Sequence, residues 1–231
     1  MQVLTPLHGV HVSHPGVIQH LQQLTANMNM NITCSELAGR LPSFLGNWSK
    51  LTEDPWVLQV VGGYQIEFLE TPHQSYAPQE VQVSLEMQSQ ISEEIVELLS
   101  KGAIEEAQLS PQSFVSQIFL VEKKDGGFRS VVNLKRLNHY VRAEHFKMEG
   151  LHLLPSLIQQ EDWMVKLDLK DAYLQVPIHP EQHHLLQFQW QQKTYQFKCL
   201  PFGLSAAPRV FTKLLKPVVG FLRLNHCCLI I

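Results

Sequence analysis

The sequence predicts an α+β chain, on three observations. Apolar residues recur at helical spacing between Gln82 and Ser100, two pairs of short apolar runs flank turn-forming residues, and a Pro/Gly turn at 201–203 leads into a second amphipathic stretch. Ahead of them lies a mostly helical or irregular N-terminal segment. With 231 residues, 45% of them apolar, the chain can bury a core as one large domain or two small ones.

Residues 1–33 are rich in Gln, Asn, Met and His, show little periodicity and read as loop. From Cys34 to Gln74, anchors such as Trp48, Trp56, Val60, Val61, Ile66 and Phe68 are punctuated by Pro42, Pro55, Gly62-Gly63 and Pro72. This predicts short helices near 35–50 and 54–61 and an extended stretch over Tyr64–Leu69. In the helix from about Gln82 to Ser100, Ile91, Ile95, Leu98 and Leu99 form the inward stripe while Glu93, Glu94 and Glu97 fall off it. Lys101-Gly102 is its C-terminal stop. Gln108–Ser113, with its Pro and Ser residues, reads as a linker.

Gln117–Val121 and Phe128–Val132 flank Asp125-Gly126-Gly127, residues that tolerate the positive φ of a tight hairpin. The tip is cationic: Lys123, Lys124 and Arg129 suit either phosphate contact or a solvated turn. Asn133–Asn138 continues as a polar segment. Pro155 opens a short helix to about Gln160, where proline is tolerated in the first turn, and Met164–Leu169 follows as a strand. Leu185–Trp190 and Thr194–Phe197 predict a second hairpin joined around Gln191-Gln192-Lys193. In the closing helix, Val210, Phe211, Leu214, Leu215 and Val218 give a packed stripe and leave Lys213 and Lys216 outward, with Ser205 placed to cap it.

The chemistry-bearing residues cluster around the predicted strand. Alternation sends Val165, Leu167 and Leu169 to one face and Lys166, Asp168 and Lys170 to the other. A carboxylate there needs a cation, a hydrogen-bond network or solvent, so Asp168 reads either as a metal ligand or as a paired structural acid. Asp171, just past the strand, is placed to cap the following turn through its side-chain oxygen. Tyr173 either walls a pocket or belongs to the core.

A net charge of −3 conceals a gradient. Residues 1–110 hold 12 Asp/Glu against 3 Lys/Arg, whereas residues 182–231 hold 6 Lys/Arg and no acid. That tail either contacts phosphates or is a solvated basic surface. Cys34, Cys199, Cys227 and Cys228 have no C-x-x-C spacing, and the 12 histidines show no His-Glu-x-x-His pattern, which argues against zinc and a disulfide framework. The start lacks a signal-peptide pattern and no apolar run approaches the ~18 residues of a membrane span. The expectation is an intracellular chain without membrane contact, cytoplasm and nucleus not being distinguished.

Four ordered blocks, Ser116–Arg129, Val131–Asn138, Val165–Tyr173 and Leu200–Pro208, resemble a reverse transcriptase of retroelement type. The resemblance spans about residues 80–231 and divides the chain into a leader, 1–79, and a partial reverse transcriptase domain, 80–231. It implies an incomplete right-hand polymerase fold with fingers and a truncated palm. Arg40–Leu45, Asp54–Leu58 and Gly63–Phe68 are similar to the leader of DIRS-like retrotransposons.

On this resemblance, Asp168 is the first metal-binding aspartate, with the Leu169 carbonyl beside it. Tyr173 is the ring that blocks a ribose 2′-hydroxyl, and Lys123 and Arg129 are fingertip contacts to the triphosphate. Asp171 and Ala172 lie on the nucleotide side, and Phe202 and Gly203 form the turn lining the nucleotide site. Lys193, Lys198, Arg209 and Lys213 lie where template and primer backbones pass. The implied partners are an RNA or DNA template-primer and deoxynucleoside triphosphates, and the implied cofactor of the complete site is Mg²⁺.

Nucleotidyl transfer uses two Mg²⁺ about 3.5–4 Å apart, which one aspartate cannot hold. The family's Tyr-x-Asp-Asp turn is expected beyond His226–Ile231, and no Asp or Glu follows Glu181. The expectation is therefore a polymerase-derived chain that is inactive alone. The alternatives are a nucleic-acid-binding or dominant-negative fragment, and a nonfunctional remnant that oligomerises through unpaired palm strands.

Overall fold

The computed structural model describes residues 37–76, 78, 82–122, 128–142, 144–148, 169 and 171–224, with 128–130 described in the backbone alone. Its helices are α1 (Leu45–Leu51, after a 3₁₀ turn at Leu41–Phe44), α2 (Pro55–Gly63), α3 (Leu85–Ser100), α4 (Lys135–Asn138) and α5 (Ala207–Leu224). Its strands are β1 (Ile104–Ala107), β2 (Val115–Glu122), β3 (Phe128–Asn133), β4 (Gln187–Trp190) and β5 (Lys193–Phe197). They form one mixed sheet in the order β1-β5-β4-β2-β3. The chain is thus α+β, as the sequence predicts.

Both hairpins form. β2 and β3 pair antiparallel from Gln117↔Asn133 to Glu122↔Phe128, and the Lys123–Gly127 tip lies outside the described residues. β4 and β5 turn on Gln191 and Gln192, at φ 48° and 65°, so Lys193 opens β5 rather than sitting in the turn. Positive φ at two central residues matches the twist of the flanking strands, which is why so short a connection works without glycine.

β2 and β4 are parallel through Val115↔Gln187 and Ser116↔Phe188. β1, paired with β5 from Ile104↔Phe197 to Ala107↔Thr194, was not expected. Its sequence, Ile-Glu-Glu-Ala, carries two acids in four residues and so hides the apolar alternation of a strand. Gln108–Ser113 links two strands of one sheet.

α3 starts three residues later than expected, where the Ser84 hydroxyl accepts from the Met87 N–H. Its stripe is as predicted, with Ile91 and Ile95 buried, and Gly102 at φ 68° lets the chain leave the helix. In α2, Asp54 accepts from the Trp56 N–H at 2.9 Å and Pro55 occupies the first turn. One core joins Ile91, Ile104, Phe114, Ile118, Phe188 and Leu214 to Val57, Val60, Val61, Tyr64 and Ile66.

The predicted extended stretch 64–69 makes isolated bridges, Tyr64↔Ile178 and Phe68↔Val141, rather than a strand. Gln182 supplies the missing pairing: the Ile66 N–H donates to its Oε1 at 2.6 Å, and its Nε2 donates to the Ile66 carbonyl at 3.0 Å. Buried backbone groups need such partners, and a primary amide offers the donor and acceptor that a neighbouring strand would. Residues 64–69 thereby brace the 140–142 segment against 177–182. The predicted Pro155 helix, the N-terminal loop and the predicted strand Met164–Leu169 lie outside the described residues except for Leu169, which is described outside any strand.

Candidate functional site

Asp168 and Lys123 lie outside the described residues, and Arg129 is described only as a β3 residue facing Val121. Leu169 is exposed. What is described is the turn that follows.

Asp171 adopts a left-handed conformation, φ 54° and ψ 36°, and precedes a 3₁₀ turn at Ala172–Gln175. It occupies the cap position expected of it, but its side chain makes no capping bond. The carboxylate instead meets Lys101 Nζ at 2.8 Å, and the same ammonium meets Glu97 at 2.6 Å. The Lys101 side chain is only 15% exposed, so its charge requires carboxylate partners more than the turn requires a cap. Burial pushes the Lys101 pKa down, but its hydrogen bonds to Asp171 and Glu97 outweigh that and leave it above the ordinary 10.5.

The left-handed turn delivers Tyr173 against Phe202, with ring centroids 5.0 Å apart, and against Phe211 at 5.5 Å. Tyr173 packs against the core, and burial raises its phenol pKa. Phe202 stays half exposed. Gly203 has φ 97°, which favours glycine, and a Cβ there would lie a tight 3.2 Å from the Val132 carbonyl. Asn138 holds the same turn: its Nδ2 donates to the Gly203 carbonyl at 2.8 Å, and its Oδ1 accepts from the Ser205 N–H at 2.9 Å. The sequence offered only its place in a polar block as a signal.

Each predicted backbone-binding cation has an internal partner. Lys193 donates to Glu106 at 2.5 Å, Lys198 lies 3.9 Å from Glu105, and Arg209 pairs with Glu144. Lys213 sits over the Trp56 ring, 3.9 Å from its centroid. The basic C-terminal segment therefore meets acids from the strand β1 and from residue 144. The Lys193–Glu106 pair is exposed, whereas the Arg209 side chain is only 20% exposed.

Among the described residues, no group of three or more His, Cys, Asp or Glu is arranged to hold a metal ion. Asp171, the carboxylate nearest the predicted ligand in sequence, is already engaged by Lys101. Among the described residues, Asp171 is therefore not free to hold a Mg²⁺ ion. An open cleft of about 760 Å³, lined by Phe68, His73, Gln74, Gln112, Gln182 and His184 among others, contains none of the predicted site residues. No helix among the described residues is long and apolar enough to cross a membrane.

Residues 121–230 match the family described as reverse transcriptase (RNA-dependent DNA polymerase). This segment is a reverse transcriptase segment. The chain is similar to the enzymatic polyprotein of Cestrum yellow leaf curling virus, 32% identical over 152 residues, which cover 64% of this chain and 23% of the relative. It is also similar to the transposon Tf2-7 and Tf2-8 polyproteins of Schizosaccharomyces pombe, each 29% identical over 136 residues, 59% of this chain and 10% of the relative. The segment is thus of the retroelement kind, and the chain spans less than a quarter of these curated relatives.

Proposed function

We propose that residues 80–231 are the fingers and nucleotide-facing palm of a retroelement RNA-directed DNA polymerase, that residues 1–79 are its leader, and that the 231-residue chain alone binds primer-template without extending it. Asp168 and the Leu169 carbonyl would hold the first metal, and Lys123 and Arg129 would contact the triphosphate. Tyr173, Ala172, Phe202 and Gly203 line the nucleotide site, and Lys193, Lys198, Arg209 and Lys213 carry template and primer phosphates. Asp171 acts on the nucleotide side by fixing the turn, its carboxylate being held by Lys101.

The observation that supports this reading is the meeting of blocks distant in sequence. Tyr173 lies 5.0 Å from Phe202, and Gly203 lies against the end of β3. A planar ring beside a glycine turn can admit a flat base and a sugar while leaving no room for an added hydroxyl. Inactivity follows from charge: in-line phosphoryl transfer needs two bound cations, and Asp168 has no carboxylate partner among the residues after Glu181. The DIRS-like leader blocks add the subgroup to the proposal.

Primer extension with Mg²⁺ and all four deoxynucleotides tests it, with Asp168→Ala as control. No extension by either chain, with retained primer-template binding, is the expected outcome. Extension above the control would remove the claim of inactivity, and absence of binding would remove the polymerase surface.

A further inference from the structure

Asn138 grips the Phe202–Ser205 turn from outside it. One side-chain amide satisfies a carbonyl at Gly203 and an N–H at Ser205, more than sixty residues away in sequence, while the intervening Leu204 is buried. On the other side the Val132 carbonyl lies 3.2 Å from where a Cβ on Gly203 would sit, a tight approach at a positive φ that strains any other residue. The turn is therefore held between the end of β3 and the end of α4.

Asn138 is itself rigidly mounted. Leu134 and Leu137 are buried, Asn133 Oδ1 accepts from the Lys135 N–H at 3.2 Å, and the Asn138 N–H donates to the Leu134 carbonyl at 2.7 Å. A side chain aimed by a short helix with two buried leucines fixes its target better than one on a free loop. Phe202, beside the gripped glycine, is half exposed and faces the Tyr173 ring.

We infer that Asn138 is a positioning residue: through the Phe202–Ser205 turn it sets the spacing of Phe202 from Tyr173, and so governs how the pocket discriminates a 2′-deoxyribose from a ribose. The inference rests on the nucleotide-site reading of Tyr173 and Phe202 given above. A merely structural Asn138 would lower stability and leave sugar preference alone.

The test uses the 231-residue chain with a primer-template whose next template base is cytosine, in Mg²⁺ buffer. Equilibrium dialysis measures dGTP and GTP affinity, and hydrogen exchange follows the amides of 203–205. Asn138→Ala removes both contacts and is expected to lower the dGTP:GTP affinity ratio about tenfold, with exchange at Ser205 about tenfold faster. Asn138→Asp keeps an acceptor for Ser205 but loses the donor to Gly203, and is expected to lower the ratio about threefold. It carries the test if the alanine variant does not fold.

An unchanged ratio with faster exchange overturns the inference and leaves the nucleotide site standing. Unchanged exchange overturns the grip itself. A wild-type chain that binds neither nucleotide overturns the site reading and the inference together, a signature distinct from the first two.

Discussion

Replacing Lys101 by methionine keeps the length of the side chain and removes its charge. Two carboxylates lose their partner: Glu97, half exposed, and Asp171, whose side chain is 28% exposed. Breaking a fully buried pair costs about 3–5 kcal/mol, and an exposed one about 0–1 kcal/mol. The Lys101–Asp171 contact lies between these limits, with a cation that is 15% exposed and an acid on a left-handed residue that cannot easily turn to water. The expected loss is about 2 kcal/mol, a fall in Tm of roughly 4–8 °C for a chain of this size.

Urea denaturation of wild type, Lys101→Met, Asp171→Asn and the double variant measures the loss and the coupling, expected at about 1–2 kcal/mol. Because the folded pKa of Lys101 is raised above 10.5, the stabilisation is fully present below that pH and is lost as pH rises through the folded value. The penalty of the methionine variant should therefore be constant from about pH 6 to 9 and vanish in strong alkali. A loss below about 0.5 kcal/mol, or zero coupling, would refute the assignment of Asp171 to Lys101.

Three other outcomes are expected. Gly203→Ala forces a Cβ to within 3.2 Å of the Val132 carbonyl at positive φ, and should cost about 1–3 kcal/mol by thermal melting; a neutral result would deny the close approach. Gln182→Ala removes both bonds to Ile66 and should cost about 1–3 kcal/mol in urea, whereas no change would show that water replaces the amide. Burial pushes the Cys199 thiol up to about 12, against the opposing charge of Lys198, so its peptide should resist alkylation at pH 8 until the chain is unfolded. Rapid native labelling of Cys199 would contradict its burial.

Local structure was legible where one face is buried. The Ile91–Ile95 stripe carries a helical periodicity, and the apolar runs around Asp125-Gly126-Gly127 carry a turn signal that a hairpin satisfies. β1 was not, because Glu105 and Glu106 serve as partners for Lys198 and Lys193 across the sheet and leave Ile104 as its one fully apolar anchor. The same limit applied to charge. Sequence marked Lys101 as a helix stop and Asp171 as a cap, since each reading uses neighbours only; their pairing joins positions 70 apart and depends on the fold. Asn138 was hidden for the same reason, its partners lying in another block. Tyr64 and Ile66 were visible as apolar anchors, but not that they would be bound by the segment following Tyr173.

The central claim, that the basic C-terminal segment carries template and primer phosphates, is tested most directly by the salt dependence of primer-template binding, read by fluorescence anisotropy. If Lys193, Lys198, Arg209 and Lys213 each meet a phosphate, log affinity should fall with log salt at a slope of about −3 to −4, and each alanine substitution should reduce the slope by about 1. A slope near zero, or slopes unchanged across the four substitutions, would contradict it.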